Sequence, residues 1–205
     1  VAQAAEKLSD GICRAMEQYY NKRRTQVHQP LAPNPPPDTV PLKLHAVTYN
    51  FALLDGRRIT PTSKSKRNSA GSSIIQARIG DKRCAGEIHT IFVHQQPGVQ
   101  DPTDRLLVAV RWMKRSTWTP LENPKFVWDD YPELGVETWE LDQYVDPLSN
   151  DPPMIIPLAD IHCQLCRGRV THVSPKLWMT ITLDRVRQSP NYIASTNFLH
   201  SFLHH

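Results

Sequence analysis

The chain has 205 residues, 40% of them hydrophobic, with 18 prolines and a formal net charge of +4. Such a length supports one substantial core with irregular arms, and so small a basic excess announces nucleic-acid binding only where it is concentrated. The four scattered cysteines (Cys13, Cys84, Cys163, Cys166) and the lack of a signal peptide or long apolar run exclude a disulfide scaffold and a membrane-spanning helix, so an intracellular protein with no membrane partner is expected. Opening on Val1 rather than Met, it is expected to be a fragment or a processed product.

Within residues 1–27, Leu8, Ile12, Met16 and Tyr19 or Tyr20 recur at helical spacing, predicting an amphipathic helix over 4–24 that closes on Lys22-Arg23-Arg24. Residues 28–41, with the run QPLAPNPPPDTVP, have no hydrophobic period and read as an extended polyproline linker. Pro35-Pro36-Pro37 could serve as a ligand for an aromatic groove, although a spacer is the plainer use. A β domain over 42–187 follows. Its first element is a hairpin over 42–60, turning at Asp55-Gly56. The stretch 61–73, PTSKSKRNSAGSS, is nearly devoid of apolar residues and is expected to be mobile. IIQARIG at 74–80 and the run 83–93 are strands, with Gly86 marking a bulge or sharp bend in the second.

The organising stretch is RLLVAVRWM at 105–113, whose five apolar residues from Leu106 to Val110 predict a central strand buried on both faces. A long excursion over 114–135 carries Trp118 and Trp128. VETWELDQYV at 136–145 fits a strand or a helical turn, and strands follow at 154–157, 167–170 and 177–183. Residues 188–205 are a C-terminal helix or tail. The fold class is therefore mainly β, a small barrel or partly open sandwich with an N-terminal helix and a Pro-rich linker.

The order GEIHTIF, LLVAVRWM, an aromatic loop and IIPLADIHCQLCRGRV resembles the bromo-adjacent homology (BAH) domain of chromatin proteins. Val110-Arg111-Trp112-Met113 matches that family's V-R-W-aromatic strand, with Met113 in place of the aromatic residue. Pro157 to Cys166 loosely matches its later cysteine-bearing element, with the Gly-Lys-Cys step replaced. The segments DGRRITPT, ARIG, CAGEI and WDDYPELGVETWEL also look like the C-terminal region of fungal transposon-derived proteins of the Tnp2 or KDZ type. The resemblance implies a BAH-like or SH3-like barrel in a nuclear, non-catalytic module that binds a histone tail or another chromatin protein, without cofactor or small-molecule substrate.

Some relatives of this kind hold methylated lysine in an aromatic cage, and the candidate peptide-binding residues here are Trp118, Trp128, Tyr131, Trp139 and Tyr144 with Asp129 and Asp130 beside them. The competing reading is DNA binding, as in an accessory domain of a transposase, by a basic strip of Arg57, Arg58, Lys64, Lys66, Arg67, Arg167 and Arg169. His162, Cys163, Cys166 and His172 carry zinc-ligand chemistry, but a single C-x-x-C on a strand reads as buried free cysteines and no metal site is predicted.

Overall fold

The computed structural model describes residues 2–23, 26–64, 72–98, 106–117, 126–149, 151–171 and 173–183. Its alanine-rich start is strand β1 (Ala2–Lys7), where a helix was expected. Antiparallel pairing with residues 45–49 (Ala5↔Val47, Lys7↔His45) outweighs the local helix propensity of alanine. The helix α1 (Asp10–Lys22) begins only after extended Ser9, with Asp10 in its first turn and Lys22 in its last, both suited to the helix dipole. Ile12, Met16 and Tyr20, one turn apart in succession, are buried together with Cys13.

The Pro-rich segment is not the extended linker that its composition predicts. Strands β2 (Val27–His28) and β3 (Val40–Pro41) pair at its two ends, so the chain leaves the domain and returns to the same place. The β-rich part continues with β4 (His45–Tyr49), the hairpin β5 (Ala52–Leu54) and β6 (Arg57–Ile59), β7 (Ile74–Ile79), β8 (Lys82–Val93) and β9 (Leu106–Arg115). The expected hairpin over 42–60 thus divides into a sheet strand and a separate small hairpin. The last strands are β10 (Glu137–Tyr144), β11 (Ile155–Pro157), β12 (Ile161–Val170) and β13 (Leu177–Thr182). The protein is mainly β, and α1 is the one α-helix among the described residues.

Two long strands determine the topology. One edge of β8 pairs with β9 from Gly86↔Trp112 to Val93↔Leu106, while its other edge is shared by β7 and β4. The outer edge of β9 is likewise divided between β11 and β10. Since β12 joins β7 to β13, and β13 joins β10, the pairing runs β8, β7, β12, β13, β10, β9 and back to β8. The nine-stranded sheet partly closes into a ring. β8 bends to serve two neighbours on one edge through a register shift between Ile88 and Thr90, three residues beyond the Gly86 that the sequence marks.

Strand alternation assigns the side chains to two faces. Facing inward, Ile74, Ala85, Met113, Trp139, Leu165 and Trp178 come together from all six ring strands. The outer face of β7, β8 and β9 presents Ile75, Ala77, Ile88, Val108, Val110 and Trp112, covered by the β5–β6 hairpin through Ala52 and Ile59 and by Leu158. Farther along β8 and β9, Phe92, Leu107 and Ala109 lie beneath α1. The run from Leu107 to Val110 is buried on both faces, as its unbroken apolar sequence predicts.

A buried histidine fixes α1 in place. His94 lies 2.7 Å from the Lys43 carbonyl through Nε2 and 2.8 Å from the Tyr20 hydroxyl through Nδ1. The carbonyl can only accept, so neutral His94 donates from Nε2 and accepts from Tyr20 at Nδ1. Burial is the main reason that its pKa lies below the usual histidine value.

Candidate peptide-binding turn and the polar interior

The predicted site residues divide between the two sides of the sheet. Trp139 and Tyr144 face the ring interior. Trp139 is 2% exposed and donates from Nε1 to Thr180 Oγ1 at 2.9 Å, the position of a packing tryptophan with its polar edge satisfied. It is corrected here from cage wall to core.

Tyr144 belongs to an inward-facing network that the sequence gives no means of anticipating. Its hydroxyl donates to Glu87 Oε2 at 3.1 Å, and the other carboxylate oxygen of Glu87 takes the Arg167 guanidinium. Arg167 also lies over the Trp178 ring at 3.8 Å, Arg111 lies over the Tyr144 ring at 3.9 Å, and the two rings meet edge to face. Burial first, and then the Glu87 carboxylate, push the Tyr144 hydroxyl pKa up, so it remains a donor at neutral pH. Tyr144, proposed for a peptide, and Arg167, proposed for DNA, are instead partners inside the ring. Pairing and stacking offset the cost of burying these charges. The residues concerned are 57 and 80 positions apart in sequence, which leaves no local pattern to read.

Trp128, Asp129 and Asp130 lie in a 3-10 turn, Val127–Asp130, and Tyr131 links it to a second, Pro132–Leu134. Phe126 and Trp128 stack at 4.3 Å with planes 17° apart and pack with Val170 and Leu177 over the outer face of β12 and β13. Asp129 Oδ2 accepts from the Phe126 backbone N–H at 2.8 Å and so tightens the first turn. Gly135, with φ of 56°, closes the second in the left-handed conformation that glycine adopts without strain. On this anchor Asp129, Asp130, Tyr131, Glu133 and Leu134 are exposed, Tyr131 by 51% and Leu134 by 50%. Residues 126–135 contain three carboxylates and no Lys or Arg. Trp118 lies outside the described residues.

The described basic positions are spread over a hairpin, a short turn and β12. Arg57 and Arg58 are on the hairpin over the outer face, with Arg58 stacked on Phe51 at 4.3 Å, and Lys64 approaches Glu6 at 3.6 Å. Arg167 points inward, and Arg169 is exposed on the same strand. Lys66 and Arg67 lie outside the described residues. Cys163 is buried with Sγ 3.8 Å from Gln76 Oε1, whereas Cys166 is exposed, because three residues along a strand carry a side chain to the opposite face. His162 is exposed and His172 lies outside the described residues. Among the described residues no three His, Cys, Asp or Glu side chains converge as metal ligands, and no helix is long and apolar enough to cross a membrane. Burial pushes the Cys13 and Cys84 thiols up, which keeps them protonated and weakly nucleophilic.

No family model, curated protein or solved structure matches this chain.

Proposed function

We propose that this chain is a non-catalytic chromatin-interaction module, a BAH-like ring acting in the nucleus, which holds a lysine-rich or arginine-rich protein tail, such as that of a histone, against the outer turns at 126–135. The observation that carries the reading is the exposed set Asp129, Asp130, Tyr131, Glu133 and Leu134 on a stacked Phe126–Trp128 base. A half-exposed tyrosine ring offers a cation–π face, clustered carboxylates complement ammonium or guanidinium groups, and Leu134 accepts an alkyl stem. Rigid backing lowers the entropic cost of binding.

Tyr131 is the residue to change, since half of it is solvent-exposed while Trp128 supports the fold. With a fluorescent lysine-rich tail peptide, Tyr131→Ala should weaken binding about five- to tenfold, on the order of 1 kcal/mol, at an unchanged melting temperature. Asp130→Asn with Glu133→Gln should weaken it further and flatten its dependence on salt. Equal affinity in all variants, or tighter binding to a DNA duplex than to the peptide, overturns the proposal.

A further inference from the structure

Two clefts meet beside β11. The first, of about 250 Å³, opens between the C-terminal end of α1, the turn from β7 to β8 and β11 itself, and Lys22, Arg23 and Arg78 line it with one carboxylate, Asp160. The second, of about 630 Å³, lies between the β5–β6 hairpin and the short turn Leu158–Asp160, where Leu53, Leu54, Leu106 and Leu158 line it with Asp55. Arg23, Pro157 and Asp160 belong to both, so the clefts form one groove with a cationic end and a leucine end.

Local structure shapes each end. Tyr19 and Arg23 are one helical turn apart, and the Arg23 guanidinium lies over the Tyr19 ring at 4.2 Å, which holds its charge at the groove. Arg78 reaches Asp81 at 3.8 Å, but both side chains are largely exposed, so the pair is weak and yields to another carboxylate. At the opposite end Leu53 is 64% exposed, on a hairpin whose Ala52 and Ile59 are buried.

The groove suits an occupant that carries carboxylates beside an apolar side chain, and the chain itself displays one. The turns at 126–135 present Asp129, Asp130 and Glu133 with no Lys or Arg, and Tyr131 and Leu134 are half exposed among them. Their Phe126–Trp128 base packs over β12 and β13, which stand across the ring from β9 and β8, so these turns lie on the far side from their own molecule's groove.

We propose that the turns at 126–135 of one copy of this chain dock in the groove of a second copy, with the carboxylates toward Lys22, Arg23 and Arg78 and Leu134 among the leucines. A contact between unlike surfaces on opposite sides leaves one of each unused, so association runs head to tail and continues beyond a dimer. Ion pairs at an exposed rim make it weak and salt-dependent. The same turns are proposed to hold a basic tail, so tail binding and association compete for them, although the contact between copies does not depend on that reading.

Sedimentation of the whole chain over a range of concentrations tests the proposal, together with two variants each broken on one surface: Arg78→Glu with Leu53→Ser in the groove, and Glu133→Gln with Leu134→Ser on the turns. All four positions are exposed, and an unchanged melting temperature verifies that both variants fold. The average mass of the parent should rise with concentration past that of a dimer in low salt and fall back in high salt. Each variant alone should remain a monomer. An equal mixture of the two should give a dimer and nothing larger, because one intact groove meets one intact set of turns. The proposal is overturned by a parent that stays monomeric throughout, by a parent that stops at a dimer, by variants that associate as the parent does, or by a mixture that stays monomeric while the parent associates. Peptide binding by the monomer is read separately, in the Tyr131→Ala comparison.

Discussion

Adding a single methyl group at Gly86 tests the ring account at its tightest point. Gly86 pairs with Ile75 on one side and Trp112 on the other, where β8 passes between β7 and β9. A Cβ placed there would lie 2.5 Å from Val110 Cγ1, 2.8 Å from the Arg111 carbonyl oxygen and 2.9 Å from Trp112 Cε3. One of these is a backbone atom within a ladder, and the other two belong to side chains that are 2% and 3% exposed, so none can withdraw cheaply. Gly86→Ala should therefore cost about 3 kcal/mol, the upper part of the range for overpacking. In a domain of this size that lowers the melting temperature by roughly 6 to 12 °C. Two controls separate crowding from the general effects of glycine. Gly80 has φ of +58° and nothing within 4 Å of a new Cβ, so Gly80→Ala should cost about 1 kcal/mol through strain alone. Gly11 lies in α1 with open space, and Gly11→Ala should stabilise by about 0.5 to 1 kcal/mol. Urea unfolding followed by tryptophan fluorescence measures all three. A Gly86→Ala protein as stable as the parent would mean that β8 and β9 do not approach as described.

Removing the Glu87 carboxylate leaves the Arg167 guanidinium, only 20% exposed, without its ion-pair partner, so Glu87→Ala should cost about 3 kcal/mol. Glu87→Met combined with Arg167→Met should cost less than Glu87→Ala alone, and urea unfolding of the three proteins checks the order. Trp112→Ala and Trp139→Ala each truncate a core ring and should cost about 3 to 5 kcal/mol in the same assay, unlike Tyr131→Ala. His94 has a depressed folded pKa, so the unfolded chain binds a proton that the folded one refuses. Its contribution is complete above the unfolded value of about 6.5 and is lost as pH falls from there through the folded pKa. Stability measured from pH 7 to 5 should decline less steeply in His94→Gln than in the parent.

The sequence was most legible where one short run determines its own environment. The apolar stretch at 106–110 is a strand buried on both faces because nothing polar interrupts it, and the β-branched and aromatic residues of 87–93 likewise form a strand. The turn at Asp55-Gly56 was legible because both residues adopt positive φ. Elements defined by distant partners were misread. Residues 2–7 have the composition of a helix and become a strand through β4, and the Pro-rich segment is closed by pairs formed thirteen residues apart, Val27 with Val40 and His28 with Pro41. The aromatic residues posed a different difficulty. Trp128, Tyr131, Trp139 and Tyr144 are close in sequence, but the strand β10 separates an outer turn from an inner face, so one apparent cage becomes an exposed ring, a supporting ring and two interior ones.

Nitrogen-15 spectra of the whole chain, recorded while an unlabelled lysine-rich histone-tail peptide is added, test the proposed peptide site most directly. The account predicts saturable shifts centred on Asp129 to Gly135, with the indole signal of Trp128 moving and that of buried Trp139 unchanged. Shifts centred on Arg58 and Lys64, or none at any residue from 126 to 135 at saturating peptide, would contradict it.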